Sequence, residues 1–174
     1  MRKLLVVVLL AVAGVLGYAT TKPDQFRVER SIAIKAPAEK IFPHINNFHQ
    51  WEAWSPYEKL DPAMKRTFSG AESGVGAAYA WEGNNEVGSG QMEILESVPS
   101  SHIKIKLDFL KPMVGHDVAE FTIAQQGDIS TVTWAMSGPA AYIMKVMGVF
   151  MDMDHMIGKD FETGLSSLKT LTEQ

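Results

Sequence analysis

The chain has no cysteine in its 174 residues, which excludes disulfide cross-links and thiolate metal sites and leaves the redox compartment unmarked. It also lacks any basic run beyond Arg2 and Lys3: 16 lysines and arginines face 20 acids, for a formal net charge of −4. Nucleic-acid binding depends on clustered Lys and Arg, so nucleic acid is not an expected partner. His44, His49, His102 and His116 show no metal-ligand spacing, and neither a metal nor a cofactor is expected. Gly74-Val75-Gly76 and Gly88-Ser89-Gly90 lie between strand-like segments rather than opening a helix. They therefore lack the amide cradle that phosphate binding needs and suit turns, bulges or sharp curvature. No serine stands in a nucleophile-elbow context.

One long hydrophobic run is present, and it stands at the beginning. Arg2 and Lys3 precede an uncharged stretch from Leu4 to Ala19, followed by Thr20-Thr21-Lys22-Pro23. Basic residues before an apolar stretch are the layout of an export signal. Gly17-Tyr18-Ala19 offers the small residues a signal peptidase needs. Residues 1–23 are thus expected to be a signal peptide cut near Ala19 or, uncut, an N-terminal membrane anchor. The run is slightly short of the roughly 20 residues that cross a bilayer comfortably. With Arg2 and Lys3 held inside, residues 24–174 face outward, on the periplasmic side if the cell is bacterial. Residues 1–23 hold three basic and no acidic residues, so without them the charge falls from −4 to −7. That balance argues against tight docking on an anionic membrane surface.

Residues 24–174 read as one domain, with no internal repeat or low-complexity linker, and 46 % hydrophobic residues in the chain allow a sizeable core. Phe26 to Ile34 alternates apolar and polar residues, as a strand with one buried face does. A short helix follows from Ala36-Pro37, which Pro43 should cut or kink, and a second spans Asn46 to Trp51. Strands are then expected at Met64–Phe68, Gly76–Trp81, Gly88–Ser97, Ile103–Phe109, Val118–Gln125 and Ile129–Ser137. Gly83-Asn84-Asn85 and Gln126-Gly127-Asp128 turn the chain between them. From about Ala140 to Thr172 the pattern becomes helical and rich in methionine. Ile143, Val146, Phe150, Met153, Ile157, Phe161, Leu165 and Leu168 recur at steps of three and four and form one apolar stripe. Methionine suits a wall that fits more than one guest.

This order, with these residues, resembles the START-like (Bet v 1-like) superfamily known as SRPBCC, nearest to its polyketide cyclase/dehydrase and lipid-transport group. The resemblance covers residues 26–172. It is carried by Val28-Glu29-Arg30-Ser31-Ile32 with Ala36-Pro37 and Ile41-Phe42, and by Trp51-Glu52-Ala53-Trp54-Ser55-Pro56. Gly74-Val75-Gly76-Ala77, Trp81-Glu82-Gly83-Asn84 and Gly158-Lys159-Asp160-Phe161-Glu162-Thr163-Gly164-Leu165 complete it. It implies an α+β helix-grip fold, in which a curved antiparallel seven-stranded sheet wraps a long C-terminal helix, with two short helices after strand 1. It implies also an apolar tunnel for a small hydrophobic molecule, a lipid or aromatic metabolite, with chemistry in a few members only.

Trp51, Trp54, Trp81, Phe109, Phe121, Trp134 and Met136 are the expected lining from sheet and corner, and Met147, Phe150 and Met153 from the helix. Arg30 and Glu120 are the polar candidates: if Glu120 points inward, Arg30 on the first strand is its partner, orienting a ligand head or serving structure. No catalytic residue is assigned. An enzyme of the cyclase or dehydratase kind would use Asp152, His155 or Glu120 as acid or base, although Asp152 or Asp154 also suits the cap of a final helix after a break near Gly148. A protein-interaction domain is a third reading, since the fold also occurs in chaperone-associated proteins.

Overall fold

Each segment with apolar residues at every second position becomes a strand of one sheet in the computed structural model, which describes residues 1–174. The strands are β1 (Gln25–Ile34), β2 (Lys65–Gly70), β3 (Ala77–Glu82), β4 (Ser89–Val98), β5 (His102–Lys111), β6 (Gly115–Gln126) and β7 (Ile129–Pro139). Their order is β1-β7-β6-β5-β4-β3-β2, with every neighbouring pair antiparallel. Register shifts at Ser89/Gly90 and Ile94/Glu96 interrupt β4. Bulges of this kind add twist and bend a sheet.

The helices are α1 (Arg2–Ala19), α2 (Ala38–Asn46), α3 (Tyr57–Leu60), α4 (Tyr142–Met147) and α5 (Met153–Thr172), with a 3₁₀ segment at Phe48–Ala53. Pro43 lies inside α2 without ending it. Together they make the α+β helix-grip architecture that the resemblance implies. The helical region from Ala140 to Thr172 is two helices, divided at the break expected near Gly148. The Gly148 amide bonds back to the Met144 carbonyl at 2.8 Å and closes α4, and the Asp152 carboxylate accepts from the His155 amide at 3.0 Å and opens α5. The apolar stripe is divided with it. No residue of α4 is buried and Phe150 is 72 % exposed, whereas Phe161, Leu165 and Leu168 are sealed in the core.

Two glycines let α5 lie close to the sheet. A Cβ on Gly158 would stand 2.0 Å from Arg30 Nη2, and one on Gly164 would stand 2.9 Å from both Pro56 and the Trp134 ring. Arg30, on the inward face of β1, uses that space. Its guanidinium donates to Asp154 Oδ2 at 2.8 Å, to the Asp154 carbonyl at 3.0 Å, to Glu162 Oε1 at 2.9 Å and to the Glu29 carbonyl at 2.8 Å. One turn on, Phe161 stacks on Trp134 with centroids 4.1 Å apart and planes within 9°. At the far end of α5, Lys169 donates to the Ala33 carbonyl at 2.8 Å, and Glu173 accepts from the Lys35 amide at 2.7 Å. The Arg30–Glu120 pair expected from the sequence is not formed, because Arg30 is spent on α5 and Glu120 points out of the opposite face.

Adding a methyl at Gly158 evicts Arg30 from its partners but also adds helix propensity of about 1 kcal/mol. Gly158→Ala is therefore expected to lower the urea midpoint in the native background and to raise it in an Arg30→Ala background. Unfolding of all four proteins of this cycle reads the coupling directly; equal effects in both backgrounds would mean that Arg30 does not clamp the helix.

Candidate functional site

The pleat sorts the inner face of the sheet into rows, and the rows differ in what covers them. At the level of α5, Trp134 and Phe121 stack at 5.0 Å. Trp51 and Trp54 from the 3₁₀ segment and its end pack edge-on against both rings. The two indoles also tie that segment to α2, Trp51 Nε1 donating to the Ile45 carbonyl at 3.0 Å and Trp54 Nε1 to the His44 carbonyl at 2.9 Å. All four rings are 0–4 % exposed. These expected tunnel residues form a filled aromatic layer.

Toward the end of the sheet where β1 begins and β7 ends, the inner side chains keep some access. Trp81, Met92 and Leu107 are 8 % exposed and Met136 is 9 %. Met92 pairs with Leu107, and Leu107 with Asp117. Phe109, beside Gly115 and edge-on to Trp81 at 6.0 Å, is half-buried. This end of the inner face is the candidate mouth of the helix grip. Trp81, Phe109 and Met136 belong to this end, Met153 opens α5, and Met147 and Phe150 lie on α4 and the connecting loop. That loop, Gly148–Met153, bounds an open concavity of about 400 Å³.

Asp117 is the acid at the mouth, and the sequence reading missed it. It shares the inward register with Ala119, Phe121 and Ile123, all buried. Glu120 belongs to the opposite register with Val118 and Thr122. There its carboxylate meets Arg27 at 3.4 Å and His102 at 3.8 Å. Counting in twos back from Phe121 finds Asp117, and that signal was available. Burial pushes the Asp117 carboxyl up from 3.8 to about 6, against a weaker opposing pull from His116. One residue of parity on the neighbouring strand reverses the chemistry. Asp108 faces outward, and the hydrogen bonds of His116 at 2.7 Å and Lys106 at 2.8 Å, with a longer one from Gln91, hold it down at about 2.

Two further polar groups face the interior. Trp134 Nε1 is buried without a hydrogen-bond partner, an unusual state for an indole. Tyr57 packs edge-on against Trp134 at 6.4 Å. Burial, with Asp160 of α5 as a second cause, pushes its phenol far above the ordinary range. Burial also raises Asp160. Asp152 is engaged as a helix cap, and Arg30 is engaged with Asp154 and Glu162. On the outer face, Ala78 and Ala80 floor a cavity of about 130 Å³. Its charged rim is the Lys106–Asp108 pair and Glu93.

A family model described as polyketide cyclase / dehydrase and lipid transport matches residues 25–173. Among solved structures, the chain is similar to a protein from Chromobacterium violaceum, with 15% identity and a TM-score of 0.59 over 88% of this chain and 99% of that one. It is similar to Aha1 from Colwellia psychrerythraea, with 16% identity and a TM-score of 0.60 over 85% and 96%. It is also similar to the di-domain ARO/CYC BexL from the BE-7585A biosynthetic pathway, with 12% identity and a TM-score of 0.62 over 91% and 53%. At these identities the likeness shows the fold. A search of curated proteins finds no match.

The raised carboxyl has a sign that can be measured. Native Asp117 holds its proton more tightly than the unfolded chain does, so its stabilisation is complete below about pH 4 and is lost as the pH rises through about 6. Asp108 acts in a different window, stabilising above about pH 4 and losing this as the pH falls through about 2. Asp117→Asn cannot ionise. Its Tm is expected to gain on that of the native protein between pH 4 and pH 7, and parallel curves would mean a solvated Asp117.

Proposed function

This chain belongs to the polyketide cyclase/dehydrase and lipid transport family, within the SRPBCC superfamily, and from that premise we propose that residues 24–174 bind a small hydrophobic molecule, a lipid or an aromatic metabolite. The ligand enters at the mouth beside Trp81, Met92, Leu107, Phe109 and Met136. The observation that carries this reading is the difference between the two ends of the inner face. One is a filled aromatic layer under α5, and the other is an apolar rim that keeps slight exposure at the end of the sheet where β1 begins. Burying apolar ligand surface there supplies affinity at about 25 cal/mol per Å². The Asp117 carboxyl at that end supplies direction, donating to an oxygen of the ligand below about pH 6, where it keeps its proton.

Residues 1–23 act in this reading as an uncut anchor that holds the domain on the outward side of a membrane. Ala19, at the expected cleavage site, is fully buried. The Tyr142 hydroxyl donates to the Leu16 carbonyl at 2.9 Å, and Lys145 of α4 pairs with Asp24. The last turn of α1 is thus packed into the domain.

A cyclase or dehydratase activity is the second reading, and Asp117 favours it. A carboxyl near 6 in an apolar mouth is a serviceable proton donor at neutral pH. Asp152 and Glu120, the acids first considered, are held by a helix cap and by outer-face partners.

Extraction of the purified full chain followed by mass spectrometry tests binding. A discrete hydrophobic species is expected, and Leu107→Trp, which fills the mouth, is expected to reduce its occupancy at least tenfold. An empty native protein that takes up nothing from a panel of lipids and polycyclic aromatics would end the binding reading. If the extracted molecule is turned over, Asp117→Asn is expected to bind it and leave it unchanged.

A further inference from the structure

We propose that the mouth end of the domain docks on the bilayer that α1 enters, with Met113, Val114, Tyr142, Ile143, Phe150 and Met151 seated among the lipids, so that the ligand passes between bilayer and mouth without crossing water. The proposal rests on the reading of α1 as an anchor and deepens it.

The six side chains come from three segments far apart in sequence: the β5–β6 loop, α4, and the loop from α4 to α5. All are exposed. The register brings them to one end of the sheet, where Gln25 pairs with Pro139 and Phe109 with Gly115. Scattered apolar residues on a surface need no explanation, but a gathering from three segments around one opening marks a contact surface.

Helix α1 identifies the occupant. It is apolar on all sides, with every residue from Leu4 to Leu10 exposed, and a helix of that kind has lipid as its natural solvent. Its length of about 27 Å matches a hydrocarbon core of about 30 Å. The lipid boundary is marked at its exit, where Lys22 stands 5.0 Å over the Tyr18 ring, an aromatic and a cation of the kind that gather at the headgroups. Tyr142 grips Leu16 at that same level, so α4 and its neighbours are carried to the surface by the anchor itself. The five residues between α1 and β1 give the domain little room to swing away. The opposite end of the sheet turns through Pro99-Ser100-Ser101 and Gln126-Gly127-Asp128, where Val98 and Ile129 are exposed singly rather than in a cluster. Docking here is apolar insertion, which reconciles it with the acidic charge of the domain.

The absence of native cysteine makes the test direct. The full chain, reconstituted in phosphatidylcholine vesicles, carries a spin label at one of Val8→Cys, Val114→Cys, Phe150→Cys or Asp128→Cys, and each label is collided with oxygen and with a water-soluble nickel chelate. Labels at 8, 114 and 150 are expected to favour oxygen several-fold over the label at 128. If 8 favours oxygen while 114 and 150 behave as 128 does, the docking proposal falls and the anchor stands. If 8 behaves as 128 does, the anchor reading falls and takes the docking with it.

Discussion

The approach of α5 to the sheet is the constraint on which the rest of the structure depends. An inward-facing arginine on an otherwise apolar strand face is costly unless its charge is met, and α5 meets it with Asp154 and Glu162. The helix can do so only because Gly158 has no side chain at the crossing. One turn further, Phe161 lies flat on Trp134, and Gly164 leaves room for Pro56 and the same ring. Trp51 and Trp54 then complete the layer from the other side, their indole nitrogens tied to α2. The seat of α5 thus organises the 3₁₀ segment and the aromatic core together.

Seating α5 in this way leaves the other end of the sheet without a cover of its own. The chain breaks at Gly148 and caps again at Asp152, and the short helix before the break turns to α1 instead of to the core. The mouth rows are therefore apolar, nearly buried and still accessible. A carboxyl placed there is dehydrated, with only the weaker pull of His116 against that burial, and so it holds its proton at a pH where exposed carboxylates have lost theirs. The two halves of the inner face differ accordingly: one holds the fold together, and the other is where the proposed ligand meets the sheet.

The strands were legible because period-two alternation is imposed on each by burial of one face, and each expected strand is present with its ends moved by at most three residues. The first short helix after β1 was legible from Pro37, and the second, expected over Asn46 to Trp51, is the 3₁₀ segment Phe48–Ala53. The cap at Asp152 was legible as well, since a short acceptor side chain ahead of a helix has a local partner. The site was less so. Glu120 drew notice because it is charged within a poorly charged strand, yet its parity puts it outside, and Asp117, three residues earlier, is the acid that parity puts inside. Arg30 was recognised as an inward charge, but its partners lie more than a hundred residues away on α5, beyond the reach of any local pattern. The four aromatics of the filled layer and the rim aromatics are alike in residue type and differ in what covers them.

The sequence by itself determined the element order, the inward and outward parity of each strand and the apolar leader, because each follows from local periodicity and composition. It determined the family as well, through short motifs in a characteristic order. Only the tertiary structure decided which part of the apolar face is core and which is mouth, which ion pairs close, where the final helix breaks its contact with the sheet, and that Asp117 stands among apolar neighbours. Those depend on how segments distant in the chain cover one another, and burial of that kind is written in no single segment.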